Sequence, residues 1–242
     1  MINASVIIPV YNSGKGLLEL CYLLDKELNM LKMSYEIILI DDKSIDDSYE
    51  VMKKMRNENN NVKIIKLNKN YGQQNAILCG FRYSIGEYII TMDDDMQNPP
   101  SEIKSLIDKI NEGYDIVYGI AEHRDYSFYR NLGSKLTNIL FNIICHKPRN
   151  KRISSFRILR RELADKVILE TSSFVYISAI ILTITKNIGN INVHHNIRTY
   201  GKSNYRPFKL IKLFLKIFIY YSGLFGRINS KKPQYEIEEL NL

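Results

Sequence analysis

A chain of 242 residues with 45% hydrophobic and 25% charged content is sized for one α/β domain with an appendage, and is neither a disordered nor a fibrous protein. Its net charge of +8 admits three kinds of partner: nucleic acid, an anionic membrane surface, or phosphorylated small molecules. The charge is concentrated late in the chain. Residues 171–235 contain no Asp or Glu, yet Lys186, Arg198, Lys202, Arg206, Lys209, Lys212, Lys216, Arg227, Lys231 and Lys232 fall there.

Cys21, Cys79 and Cys145 are widely spaced and form no metal-ligand pattern, which points to reduced thiols in a cytosolic setting. Met1 leads straight into SVIIPV without a signal region, so no export is expected.

In chain order, apolar runs at residues 5–10, 36–40, 62–67 and 88–92 alternate with segments of helical periodicity, which predicts βαβ units on a parallel sheet. Residues 15–31 carry Leu17, Leu18, Cys21, Leu24, Leu28 and Leu31 at three- and four-residue steps and predict the first helix. A second helix starts near residues 44–46, capped by those side chains, and a third just past Gly72. A strand at 115–120 leads through a polar loop to a helix around 129–144. Residues 156–159 read as a further strand, followed by helices near 161–169 and 174–186.

Ligands of such sheets bind beyond the carboxyl ends of the strands. Those ends here read PVYN (9–12), DDKSIDD (41–47), NYGQQNA (70–76) and DDDMQNPP (93–100). Three adjacent carboxylates, Asp93, Asp94 and Asp95, repel one another unless a cation neutralises them. By strand alternation, Asp93, Asp95 and Gln97 project to one side, a ligand set for Mg²⁺ or Mn²⁺ completed by diphosphate oxygens. The alternative is a solvated acidic turn. Asp41, and with it Asp42, can accept hydrogen bonds from a base N–H or a ribose hydroxyl, while Ser44 or Asp46 caps the next helix.

In that order, the motifs resemble the family-2 glycosyltransferases, and among them the polyprenyl-phosphate sugar transferases; the likeness runs over about residues 5–205. It implies an α/β GT-A fold, a Rossmann-like, mostly parallel sheet flanked by helices. It further implies a domain at 1–206, a nucleotide-sugar donor (UDP favoured, GDP possible) and a metal held by Asp93, Asp95 and Gln97, with Asp95 also catalytic. Pro9, Tyr11, Asp41, Asp42, Gln74 and Asp94 are then donor-site residues. YRNLGSKL contributes Arg130 and Ser134 near the sugar diphosphate, and SSFRILRREL contributes Phe156, Arg157 and Arg161. RTYGKSNY contributes Arg198, Lys202, Ser203 and Tyr205 for the phosphates of donor or acceptor. That last segment is also the most cationic loop in the sequence, and suits phosphate on its own composition.

The sequence departs from the family pattern in three places. Ser13 stands where relatives often carry glutamate. Ile120 and Ala121 replace an arginine that Arg124 can supply from the loop, and Ser154 and Ser155 precede the F-R pair where many relatives have aspartate. The absence of tryptophan removes the Q-x-x-R-W motif of processive synthases, which favours transfer of a single sugar.

Inverting transfer to a sugar hydroxyl needs a general base, whereas a lipid phosphate is already ionised. With few acidic side chains in the acceptor half, polyprenyl phosphate is the expected acceptor; a hydroxyl of a surface-polysaccharide or lipid-linked glycan is the alternative, with Glu162, Asp165 or Glu170 as base. His194 and His195 are adjacent and face opposite ways, so they do not chelate one ion together and read as structural.

Residues 207–242 are expected to form a second unit, a basic amphipathic membrane-interface helix and a tail. From 207 to 225, Lys209, Lys212 and Lys216 make a cationic stripe on an otherwise apolar helix, which suits an amphipathic helix lying in an anionic membrane interface better than a spanning one. An ordinary helix packed on the domain, or a dimer contact, is the alternative. The expected location is therefore peripheral, at the cytoplasmic face of the cell membrane, with a membrane-protein partner as an optional anchor. A nucleic-acid partner is not expected, because acidic clusters stand at the strand ends.

Overall fold

The computed structural model describes residues 2–122, 141–196, 207–222, 224 and 234–242, with the side chains of 207–211 left aside. The β-strands are β1 (Ala4–Val10), β2 (Tyr35–Asp41), β3 (Val62–Leu67), β4 (Tyr88–Thr91), β5 (Ile116–Ala121), β6 (Arg157–Arg160), β7 (Ile188–Val193) and β8 (Ile237–Asn241). The helices are α1 (Gly14–Met30), α2 (Ser48–Glu58), α3 (Gln73–Tyr83), α4 (Ile103–Ile110), α5 (Arg161–Ile168), α6 (Ile177–Ile184) and α7 (Pro207–Tyr221). Residues 141–144 are also helical.

The strands form one sheet in the order β7-β5-β6-β4-β1-β2-β3-β8. Pairs β1/β2, β1/β4, β2/β3 and β5/β7 are parallel, whereas β6 runs antiparallel to both β4 and β5, and β8 antiparallel to β3. Both faces are covered, which is why the central strands read as continuous apolar runs. Ile7, Ile38 and Ile40 point into the core layer that holds α3 and α6; Val6, Ile8, Ile37 and Leu39 point into the layer that holds α1 and α2.

Predicted and observed elements differ at several points, and β7 is not predicted from the sequence. The helix expected over 174–186 is shorter, because Tyr176 is extended (φ −140°) with its amide held by the Tyr221 hydroxyl at 3.1 Å. α2 begins at Ser48 with Asp47 in the N-cap position and no side-chain cap. Ser44 is turned instead to the Asn12 amide, and Asp46 accepts from the Ser48 amide at 3.1 Å. Residues 237–241, expected in a tail, form the sheet's edge strand.

Before β4 the chain crosses β1 at close range. The Gly86 amide donates to Ser5 Oγ at 2.8 Å, and Ser5 Oγ donates to the buried Glu36 at 2.5 Å. A Cβ at position 86 would lie 2.6 Å from the Ser5 nitrogen, so only glycine fits. Gly86→Ala is expected to cost about 1–3 kcal/mol in urea denaturation through forced displacement of β1.

Candidate active site

The carboxyl ends of β1, β2, β3 and β4 open on one edge of the sheet. Because β6 is antiparallel, its start arrives there too, with Arg157 opposite Thr91. Three non-glycine residues at this edge, Asn12 (φ 55°), Lys43 (φ 61°) and Met96 (φ 61°), adopt the sterically disfavoured left-handed conformation.

The loops after β1 and β2 are stitched together. The Asn12 amide donates to Ser44 Oγ at 3.0 Å, the Ile45 amide to Asn12 Oδ1 at 2.9 Å, and the Asp42 amide to the Val10 carbonyl at 2.9 Å. Pro9 is buried within β1, and Tyr11 beside it is 44% exposed, leaving its ring accessible at the mouth of this edge. Asp41 is fully buried. Its Oδ1 accepts the Ser44 amide at 2.9 Å, while Oδ2 has no hydrogen-bond partner. Such an orphaned acceptor is costly unless a ligand N–H or O–H reaches it.

Asp42 is committed to the protein itself, its two oxygens accepting the amides of Tyr71 (2.7 Å) and Gly72 (2.8 Å). It therefore shapes the loop that leads into α3, with both carboxylate oxygens already taken by backbone amides. Burial raises its pKa to about 6, against the opposing pull of the two amides.

The acidic run leaves β4 after Thr91, so strand alternation does not arrange it. It bends, with Met96 left-handed, and each aspartate takes a separate partner. Asp93 accepts from Gln73 Nε2 at 2.6 Å and from Ser155 Oγ at 2.6 Å. Asp94 accepts the Tyr11 amide at 3.3 Å, and Ser13 also hydrogen-bonds to it. Asp95 is buried and accepts the Gln97 amide at 3.2 Å. Burial, reinforced by the neighbouring aspartates, pushes the Asp93 carboxyl upward and raises Asp94 to about 6. Desolvated carboxylates at such spacing gain from a cation.

Among the described residues, no three His, Cys, Asp or Glu side chains gather as a complete metal cage. A hard ion that keeps waters and takes phosphate oxygens needs only one or two carboxylates, so the Asp93–Asp95 set fits Mg²⁺ or Mn²⁺.

Arg157 and Gln74, both expected to face the donor, are used internally. Arg157 is 2% exposed and donates to Ser178 Oγ at 2.9 Å; it lies under the acidic run, where its charge favours the ionised form of Asp93. Gln74 accepts the Ile177 amide at 2.9 Å, tying α3 to α6. Its neighbour Gln73 is the residue that reaches Asp93. Both were visible in the motif, but successive helical residues point about 100° apart, and only the tertiary fold decides which faces the site. Ser13 and Ser155, which read as losses relative to the family pattern, are direct partners of the acidic run.

The side chains weighed as a general base lie elsewhere. Arg161, which opens α5, donates to Gly86 and Ser84 at the amino end of β4, so Glu162 and Asp165 begin a helix at the opposite edge of the sheet. Glu170 caps the amides of Thr171 and Ser172 beyond Ile168, whose carbonyl is approached by Arg82 at the far end of α3. The His194 amide donates to Glu102, and Asn196 holds the Met96 and Gln97 carbonyls at 3.3 and 2.8 Å. Arg124, Arg130, Ser134, Arg198, Lys202, Ser203 and Tyr205 lie outside the described residues.

Asp42 gives a pH prediction. Its folded pKa lies above that of an unfolded aspartate, so the folded state binds more protons than the unfolded one between about pH 4 and 6, and its contribution to stability falls as pH rises through that window. The stability difference between wild type and Asp42→Asn, followed by urea midpoints, is expected to shift against the wild type between those pH values.

A family model described as Glycosyl transferase family 2 matches residues 5–169, more than half of the chain. Among solved structures, glucosyl-3-phosphoglycerate synthase from Mycobacterium tuberculosis, in complex with Mn²⁺, UDP and glucosyl-3-phosphoglycerate, is 14% identical with a TM-score of 0.63, covering 99% of this chain and 88% of that one. The same enzyme with Mn²⁺, UDP-glucose and phosphoglyceric acid has a TM-score of 0.62 at 14% identity, covering 92% and 79%. Mannosyl-3-phosphoglycerate synthase from Rubrobacter xylanophilus is 11% identical with a TM-score of 0.67, covering 99% and 87%. These likenesses show the shared GT-A fold.

Proposed function

Because the chain belongs to glycosyl transferase family 2, we propose that it moves one sugar, with inversion, from a UDP-sugar to a polyprenyl phosphate at the cytoplasmic face of a membrane. The observation that carries this reading is the desolvated run Asp93–Asp95, closed between the Tyr11 amide and Ser155, with the orphaned Asp41 oxygen at the same edge of the sheet. The Mn²⁺ and UDP bound by the M. tuberculosis enzyme of the same fold support the metal and donor assignments. Asp93, Asp95 and Gln97 would hold the ion, with Asp95 closest to the chemistry. When bound, such an ion neutralises the charge that develops on the departing diphosphate.

The protein's own contribution is positioning. Gln73 and Ser155 fix the Asp93 carboxylate, the Tyr11 amide fixes Asp94, and the exposed Tyr11 ring with Asp41 offers a face and an acceptor to the nucleoside. Arg130, Ser134, Arg198, Lys202, Ser203 and Tyr205 remain assigned to the diphosphate and acceptor phosphate. Asn196, two residues before Arg198, is bonded to the backbone of the acidic run, which supports a phosphate-binding role for that segment. The remoteness of Glu162, Asp165 and Glu170 supports an acceptor that needs no protein base.

Membrane association is supported by α7. Its inner side, with Leu213, Phe218 and Tyr221, packs on the core, while Leu215 (52%), Phe214 and Ile219 are exposed beside exposed Lys212 and Lys216. No described helix is long and apolar enough to cross a membrane. An apolar strip bordered by lysines suits an anionic interface. The protein is expected to co-sediment with phosphatidylglycerol vesicles and not with phosphatidylcholine alone. Leu215→Glu should release it without lowering the melting temperature.

The deciding assay combines protein, Mn²⁺ or Mg²⁺, a panel of nucleotide sugars and a short-chain polyprenyl phosphate, with phosphoglyceric acid and a lipid-linked glycan in parallel, read by mass spectrometry. Metal-dependent formation of a glycosylated lipid phosphate is the expected result; product only on a hydroxyl-bearing acceptor would overturn the acceptor assignment. Asp95→Asn should lower turnover by at least about a hundredfold with the fold intact. Ser155→Ala should raise the metal concentration needed for half-maximal activity about tenfold or more, since a ligand's hydrogen-bonding partner tunes metal affinity.

A further inference from the structure

All the acidic residues after Glu170, namely Glu236, Glu238 and Glu239, fall in or next to β8. Each is paired with a residue of the donor half. Glu238 forms an ion pair with Lys43 Nζ and lies 3.2 Å from Lys66 Nζ. Glu239 accepts from the Tyr49 hydroxyl at 2.9 Å and lies 3.4 Å from Lys66. Glu236 receives Asn68 twice, backbone to backbone at 3.0 Å and through Nδ2 at 2.6 Å.

Two of those partners, Lys43 and Asn68, lie on the loops next to Asp41 and Asp42. Lys43 sits between Asp42 and Ser44 in the left-handed conformation, which costs a side-chain-bearing residue free energy unless its surroundings hold it. Asn68 accepts the Tyr71 hydroxyl at 2.9 Å, and Tyr71 and Gly72 donate their amides to Asp42. β8 thus grips the two loops that flank Asp41, one through Lys43 and the other through Asn68. A strand that only covered the edge of β3 would need the backbone ladder and no such contacts.

We propose that β8 belongs to the donor-binding apparatus, with Glu238 as a positioning residue that holds Lys43, and through it the turn carrying Asp41 and Asp42, in the conformation that receives the nucleotide. The proposal rests on the donor-site reading above.

The test is calorimetric titration of UDP with Mn²⁺ into the full chain, followed by donor kinetics. Wild type that binds no nucleotide would refute the donor-site reading itself, before any variant is made. Given wild-type binding, Glu238→Gln should weaken it about fivefold, the most that an ion pair exposed by more than a third contributes, and raise the donor KM equally while leaving kcat unchanged. The charge-swapped pair Lys43→Glu with Glu238→Lys should recover affinity lost in Glu238→Lys alone. Unchanged affinity in Glu238→Gln, a loss confined to kcat, or no recovery in the swap would overturn the proposal. Should Glu238→Gln melt below the assay temperature, Glu238→Asp, whose shorter reach also breaks the pair, is titrated in its place with the same expected loss.

Discussion

Three consecutive carboxylates withdrawn from water are the constraint around which this molecule is arranged. Left alone, carboxylates packed this closely would repel one another and push the loop back into solvent. Donors from distant parts of the chain meet two of them instead, Gln73 at the start of α3 and Ser155 before β6 on Asp93 and the amide after β1 on Asp94, while Asp95 takes the Gln97 amide of its own loop. The reversed direction of β6 is what makes this possible. In a wholly parallel sheet that strand would present its end at this edge; running antiparallel, it presents its start, and Ser155 and Arg157 arrive together, one beside Asp93 and one beneath it.

Where the sequence could be read, the signal was local and repetitive. β1, β4 and β5 announce themselves because both faces of the sheet are covered, so these strands are almost wholly apolar, and α1 because its buried positions recur at helical spacing. The acidic run and the DDKS turn were legible as chemistry, since nothing in a core tolerates such residues without a reason. Their geometry was not. Strand alternation failed for Asp93, Asp95 and Gln97 because the strand ends at Thr91 and Met96 turns left-handed, a conformation no residue pattern announced.

Other features were illegible because they depend on partners distant in sequence. Gln73 and Gln74 are equivalent in the motif, and only the positions of β4 and α6 divide their roles. EIEEL carries no apolar alternation; its place in the sheet comes from Lys43, Lys66 and Asn68, partners far away in sequence that meet its acidic residues. Arg157 looked like a ligand-binding arginine, and its burial follows from a register set by β4 and β5.

The pairing of β8 with β3 also has a temporal meaning. Lys66 and Glu239 are 173 residues apart, so this contact closes one of the longest loops in the chain and carries a correspondingly large cost in chain entropy. During synthesis β3 emerges long before its partner and remains an open sheet edge, the kind of surface on which nascent chains pair wrongly. Lysines at 63 and 66 along that strand keep it charged in the interval. The edge that receives β8 late is thus guarded by the residue, Lys66, that later binds it.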